Sequence, residues 1–313
     1  MYVFGPVPSR RLGRSLGVSP IPRKTCSYSC VYCQLGRTDA LTVERKSFFD
    51  KQKIFDEISR CVTDSDCDYI TFAGDGEPTL STDLEWLIEK CRHSFNKPTA
   101  VLTNGSFLSD QDVRSGLMKA DVVLPSLDAG NEELFKKINR PHKTIKYNGI
   151  ISGLKSFRET FRGKIWLEIM LVRGINDTHE SLTELKQAVA GIAPDRVYIM
   201  TPIRPPAESW VKPPPVEHLT YAYNLLNAAA VLNNPEIGAI ELSEGADFMK
   251  AVLNICRRHP LRLDQARKIA QRYGGDSVLH ELIESSQLNI VQYGKHKYVV
   301  PPNNNGENNV MSD

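Results

Sequence analysis

Apolar positions along this chain alternate between two rhythms from Asp50 to about Met200. Ile54, Phe55 and Ile58 fall at helical spacing and are followed by the short apolar run Tyr69-Ile70-Thr71-Phe72. Leu84, Leu87, Ile88 and Cys91 then share one helical face, with Ser81 or Thr82 as candidate N-cap, before the strand-like Thr99-Ala100-Val101-Leu102. The series continues with a helix opened by Ser109, a strand from Asp121 to Leu127 and helical segments to about Thr160. It closes with a strand from Ile165 to Val172, a helix from Thr178 to Ala190 and a strand from Arg196 to Met200. With Gly17-Val18-Ser19 as a first short strand, this makes six β/α units, and strict alternation predicts a parallel sheet wrapped by helices. Periodicity alone does not separate an open doubly wound sheet from a barrel.

Beyond Pro202 the texture changes. Thr201 to Pro215 holds six prolines and reads as an extended connection. A long helix is expected from Val216 to about Leu232. Short helices over Asp247–Arg258, Leu263–Arg272 and Asp276–Glu284 precede a hairpin, Leu288–Val291 and Lys297–Val300 around Gly294. Three helices and a hairpin are the order of a winged helix. The expected organisation is an α/β domain over 1–242 including the 201–215 linker, a winged-helix-like domain over 246–300 and a disordered tail over 301–313.

Composition narrows the class. The 313 residues are 41% hydrophobic and 24% charged with net charge +2, ordinary for a soluble globular protein with no whole-chain demand for a nucleic acid or membrane. No apolar run approaches a membrane span and the start carries no signal-peptide pattern, so the expected location is the cytoplasm. Residues 1–38 do concentrate positive charge, with Arg10, Arg11, Arg14, Arg23, Lys24 and Arg37 and no acid. Of seven cysteines, Cys61, Cys67, Cys91 and Cys256 are scattered and read as small packing residues.

The other three crowd into Cys26-Ser27-Tyr28-Ser29-Cys30-Val31-Tyr32-Cys33. In such a chain this cluster reads as metal ligation rather than disulfides. Thiolates at this spacing can wrap one iron–sulfur cube, each taking one iron and leaving the fourth iron open to a chelating ligand. A zinc knuckle is the competing reading, but it wants a fourth ligand, and His93 and Cys61 lie outside the loop.

Cys-x3-Cys-x2-Cys with an aromatic before the last cysteine resembles the signature of the radical S-adenosylmethionine (SAM) superfamily. The stretch from Phe4-Gly5-Pro6-Val7-Pro8-Ser9-Arg10-Arg11-Leu12-Gly13 through Cys33-Gln34-Leu35-Gly36-Arg37-Thr38 is similar to the branch containing wyosine-type tRNA synthases and uncharacterised iron–sulfur oxidoreductase relatives. That branch places further cysteines upstream of the motif; none precedes Cys26 here, which counts against wyosine synthesis itself. The resemblance, over about residues 4–205, implies a partial (β/α)6 TIM-like barrel. It also implies a [4Fe–4S] cluster on Cys26, Cys30 and Cys33, and an external one-electron donor of flavodoxin or ferredoxin type. Reduced, the cluster would cleave SAM to a 5′-deoxyadenosyl radical.

The resemblance also implies that Tyr32 packs on the adenine of SAM, and ligands are expected at the carboxy-terminal strand ends. Gly74-Asp75-Gly76-Glu77-Pro78 looks like the glycine-rich motif for the SAM amino group, through Gly74, Gly76 and Glu77. Asn104, Ser126 and Asp128 match positions that contact the methionine carboxylate and ribose, though each also suits a cap or turn. Glu168 alternates with Leu167 and Ile169, so it faces either the ribose or a buried arginine such as Arg173. Met200 offers backbone groups to the adenine or simply packs. Asn139-Arg140-Pro141-His142-Lys143 is a charged loop, a substrate or phosphate contact or merely solvated.

Three readings of the substrate follow. The first is modification of tRNA or another RNA, suggested by the basic start and by nine Lys/Arg against five Asp/Glu over Asp247–Val300. The second is radical modification of a peptide or protein side chain docked by the winged helix. The third is a non-enzymatic iron–sulfur regulator, which would need no SAM pocket.

Overall fold

The computed structural model describes residues 1–234, 240, 242 and 247–302. Its first strands, β1 (Val3–Ser9) and β2 (Gly13–Val18), form an antiparallel pair. The short β3 (Thr25–Cys26) and β4 (Ala40–Leu41) pair beside them. Regular alternation follows: α1 (Lys51–Asp64), β5 (Tyr69–Phe72), α2 (Leu84–Ser94), β6 (Thr99–Thr103), α3 (Gln111–Leu117) and β7 (Val122–Pro125). Then come α4 (Glu132–Asn139), α5 (Tyr147–Thr160), β8 (Lys164–Met170), α6 (His179–Ile192) and β9 (Arg196–Met200). After the proline-rich connection stand α7 (Val216–Leu225) and β10 (Ala230–Leu232).

Eight strands hydrogen-bond in the order β1-β2-β5-β6-β7-β8-β9-β10, parallel from β2 onward, and the sheet curls into a half-barrel. This is the expected partial (β/α)6 barrel, extended by a strand at each edge. The β1 edge carries Pro6 and Pro8, which obscure its pattern in sequence and suit an edge position, where missing N–H donors break few ladder bonds. The long helix expected to Leu232 stops at Leu225 instead. Asn227 takes a left-handed backbone, and Ala230–Leu232 joins β9 in parallel.

Strand alternation sorts the core into two layers. Val101, Val123, Ile165, Leu167 and Ile169 pack toward the helices, whereas Ala100, Val122, Leu124, Trp166 and Tyr198 line the concave face. Asp50, Asn131 and Thr178 cap helix N-termini through their side chains, and α3 is capped by Asp110 rather than by the expected Ser109. The cap of α2 is Asp83, one residue beyond the expected Ser81 or Thr82, and it makes no side-chain cap bond.

The carboxy-terminal segment comprises α8 (Phe248–Arg258), β11 (Leu261–Arg262), α9 (Leu263–Tyr273), α10 (Asp276–Glu284), β12 (Asn289–Tyr293) and β13 (His296–Val300). Its strands pair in the order β11-β13-β12. It is not separate from the barrel: Phe4 and Val7 share a buried cluster with Val252, Ile255, Leu261 and Val299. Residues 303–313 of the expected tail and residue 246 at the expected domain start lie outside the described residues. Among the described residues, no helix is long and apolar enough to cross a membrane.

Candidate active site

The cysteine loop is clamped between two segments at strand ends. On one side runs the loop after β5. Gly76 bridges Thr25, and a Cβ on Gly76 would sit 1.9 Å from the Thr25 carbonyl oxygen, so only glycine allows this approach. Lys24 N donates to Asp75 O at 2.6 Å and Glu77 N to Thr25 O at 3.2 Å. On the other side runs the end of α4. Ser29 N reaches the carbonyls of Asn139 and Arg140, both at 3.1 Å, because Arg140 adopts a left-handed backbone (φ 45°) that turns both toward it.

Cys26 and Cys30 accept N–H···S contacts, one from each clamp and one from within the loop. Asn104 Nδ2 lies 3.6 Å from Cys26 Sγ, Asn139 Nδ2 lies 3.5 Å from Cys30 Sγ, and the Tyr28 amide lies 3.4 Å from Cys26 Sγ. Burial pushes the Cys26 thiol up to about 12, with the Glu77 carboxylate adding to the effect. Burial likewise raises Cys30 and Cys33. Thiolate ligation of iron would release the protons that burial otherwise favours on these sulfurs. Among the described residues no three His, Cys, Asp or Glu side chains close on a single metal ion. A cube asks for something else, one thiolate per iron, and soft sulfur donors with N–H···S contacts suit it.

Glu77 is 1% exposed and fully engaged. Oε1 accepts from Thr79 N, Thr79 Oγ1 and Thr103 Oγ1, and Oε2 accepts from Asn104 N at 2.6 Å. Burial raises its pKa against the pull of those donors. It welds the β5 loop to the β6 loop. Asn104 turns its amide toward Ser27 Oγ, 2.9 Å away, and toward Cys26, and Gly105 after it takes a positive φ.

Asp128 is 2% exposed and joins a second polar knot. It accepts from the Tyr32 hydroxyl, from Asn139 Nδ2 at 2.7 Å and from Met170 N at 2.8 Å. Burial raises its pKa, opposed by these three donors, Tyr32 first. Asn176, fully buried, donates to the carbonyls of Asp128 and Met170 at 2.7 and 2.8 Å and accepts from Val172 N. Asn139, expected in a solvated or substrate-contacting loop, is buried at the end of α4 and, like Asn176, which the motifs pass over, is a structural hub. The available signal was a polar pair, Asn176-Asp177, between an apolar strand and the helix cap Thr178.

Glu168 shares the concave face with Trp166 and Met170, and its partner is Arg11, not Arg173. Ser126 bridges Glu168 through the backbone, and Ser126 N donates to Thr103 O. The Met200 carbonyl accepts from Leu171 N, and its sulfur lies 3.4 Å from Arg11 Nη1. The basic start is largely neutralised within the fold: Arg14 pairs with Asp66, Lys24 with Asp39 and Arg37 with Glu208.

The carboxy-terminal segment reaches this centre directly. Arg258 holds Asp75 with two nitrogens at 2.7 Å, both side chains nearly buried. Gln34, next to Cys33, donates to Arg258 O at 2.9 Å and accepts from Arg204 at 3.2 Å. Cys256 and Cys91 are buried thiols pushed up to about 12 by burial, consistent with packing roles.

A half-barrel carrying a three-cysteine loop at its strand ends defines an enzyme class that handles SAM at an iron–sulfur cluster. Residues 21–185, just over half of the chain, match the radical SAM superfamily, and the chain belongs to it. Enzymes of this superfamily use a [4Fe–4S] cluster and SAM and need an electron donor. Among relatives, the UPF0026 protein MJ1312 of Methanocaldococcus jannaschii is 34% identical over 307 residues, 95% of each chain. GTPase Obg of Brachyspira hyodysenteriae is 45% identical over 203 residues, 64% of this chain and 30% of that protein. A radical SAM methyltransferase from Sphaerobacter thermophilus superposes with TM-score 0.54 at 17% identity, covering 69% of this chain and 65% of its own. Streptococcus suis SuiB bound to S-adenosylmethionine gives 0.51 at 18% identity, covering 71% and 50%. These structural likenesses speak to the fold.

Proposed function

We propose that Cys26, Cys30 and Cys33 hold the cluster and that this enzyme modifies a side chain of a peptide or protein docked by its carboxy-terminal segment. When bound and reduced, the cluster would supply the one electron that splits SAM into methionine and a 5′-deoxyadenosyl radical. The chain's own groups do the positioning. Gly74 and Gly76 keep the β5 loop low enough for backbone groups to meet the SAM amino group. Glu77 locks that loop to Asn104, Tyr32 and Asp128 fix the nucleoside side, and Ser126, Glu168 and Met200 border it on the concave face.

The observation that carries the substrate reading is the carboxy-terminal sheet. Among the described residues β12 has β13 on one side and no strand on the other, with Ile290 43% exposed. An open edge with an apolar tooth suits addition of an extended peptide strand. The hairpin is tied to the centre: Tyr293 and Tyr298 donate to the carbonyls of Pro202 and Ile203, one residue from Arg204 and its Gln34 contact. We read the segment as a winged helix by element order. Its third helix, α10, turns Asp276, Glu281 and Glu284 to solvent, an acidic face ill suited to phosphates.

RNA is the second reading, favoured by Arg267, Lys268 and Arg272 exposed on α9. Anaerobic purification followed by mass spectrometry and RNA sequencing of what copurifies decides between them. The peptide reading expects a bound peptide that Val291→Pro in β12 releases. Salt-sensitive RNA, lost on Arg267→Glu with Lys268→Glu, would instead establish the second reading.

A further inference from the structure

We propose that the basic cleft on the outer face of the cysteine loop is the docking site of a small acidic electron-carrier protein. This rests on the reading that the loop holds a cluster needing one electron from outside. The cleft has a volume of about 480 Å³, and Ser29, Leu41, Lys136, Arg140, His142 and Lys143 line it. Ser29 brings the cysteine loop into its lining. His142 N donates to Ser27 O at 2.8 Å, Ser29 N to Asn139 O and Arg140 O, and Tyr28 bridges Pro141.

The walls are positive. Residues 135–146 carry Lys136, Lys137, Arg140, Lys143 and Lys146 and no acid. Arg140 is held by Glu208, and Lys136 pairs with Glu132 across an exposed turn of α4. Lys137 and Lys143 are exposed, and Lys146, also exposed, acts on Glu132 only through its field. Leu41, 43% exposed, supplies an apolar contact at the rim. A charged rim around a small apolar patch steers and seats an oppositely charged protein partner.

Position selects the kind of partner. Substrate must reach the concave face, where Tyr32, Asp128 and Glu168 lie. The Asn139 side chain points inward to Asp128 and Cys30, while Lys136 and Lys143 of the same segment face solvent. The cleft therefore opens away from the side chains that line the concave face, while Ser29, which lines it, directly precedes Cys30 in the chain. Electron transfer falls off exponentially with distance, so a donor gains most where cover is thinnest. The step itself moves one electron from the carrier to the oxidised cluster, oxidising the carrier by one electron, with no bond made or broken.

The test uses the reconstituted protein, an acidic flavodoxin in its hydroquinone form, and neutral photoreduced deazaflavin as a control that needs no docking. Cluster reduction is followed by bleaching, so the outcome is read even if SAM cleavage fails. Lys136→Glu with Lys143→Glu should slow reduction by flavodoxin at least about tenfold, the lower end of steering effects. Reduction by deazaflavin should stay unchanged. Lys136→Gln with Lys143→Gln should show a smaller loss in the same direction, and added salt should slow the wild type. Equal flavodoxin rates in wild type and the charge-reversed variant would overturn the proposal. So would a variant that keeps its flavodoxin rate while losing affinity for copurified RNA, which would mark the cleft as a nucleic-acid surface.

Discussion

Arg258→Ala should destabilise the whole catalytic centre, although Arg258 belongs to the last helix-rich segment of the chain. Its guanidinium holds Asp75 through two nitrogens at 2.7 Å, lies 5.3 Å from the Phe4 ring centre and contacts Asn254. Asp75 is 2% exposed, so its carboxylate would be left buried and unpaired. Breaking such a pair costs about 3–5 kcal/mol, and loss of the cation–π contact adds roughly 0.5–2 kcal/mol. Against a total stability on the order of 5–15 kcal/mol this is severe. Thermal unfolding should shift by roughly 5–11 °C for a chain of 313 residues. Arg258→Met with Asp75→Asn removes both charges while keeping shape, and should recover most of the loss. The measurement is a double-mutant cycle by calorimetry on the apoprotein, with SAM binding to reconstituted protein beside it. A loss below about 1 kcal/mol in Arg258→Ala, or no recovery in the double variant, would refute the reasoning built on the magnitude of buried ion pairs.

Other outcomes follow from the same geometry. Arg11→Met should leave Glu168 unpaired, at a cost of about 3–5 kcal/mol near neutral pH. Burial already raises the Glu168 pKa and Arg11 opposes the rise, so the variant raises it further. A carboxyl whose folded pKa lies above its unfolded value loses stability as pH rises between the two, so the melting temperature of the variant should climb, relative to wild type, on acidification from neutrality. Glu77→Ala orphans the Thr79 and Asn104 amides, each worth about 1–3 kcal/mol; calorimetry should show a loss of that order together with weaker SAM binding. Asn139→Ala removes the contact to Cys30 Sγ, and a redox titration followed by electron paramagnetic resonance should place the cluster potential lower than in wild type.

The parts of this fold legible in sequence are those set by local pattern. Alternating rhythms marked the strands β5 to β9 because buried parallel strands and amphipathic helices impose different periods. The cysteine loop declared itself because ligation demands a fixed spacing on one short loop. Strand β1 was hidden by Pro6 and Pro8, and β10 by a run of alanines after Asn227 that continues the helical composition of α7. Alternation alone turns Glu168 away from Leu167 and Ile169, yet its partner Arg11 lies 157 positions away and nothing local names it. Asp75 and Arg258 stand 183 positions apart. The distance along the chain suggested a carboxy-terminal segment independent of the chemistry, whereas tertiary packing sets it against the β5 loop and Gln34. The arginines of the first 38 residues looked like a nucleic-acid footprint because their acids, Asp66, Glu168 and Glu208, lie far along the chain.

The central claim is that three thiolates at the mouth of this half-barrel hold a cluster that cleaves SAM. The most direct measurement is anaerobic reconstitution with iron and sulfide, reduction, addition of SAM and quantification of 5′-deoxyadenosine and methionine by liquid chromatography. Wild-type protein is expected to bind one cluster and form both products, and replacement of Cys26, Cys30 and Cys33 by alanine is expected to abolish cluster and products together. A cluster-loaded wild type that leaves SAM intact, or a triple variant that still cleaves it, would contradict the account.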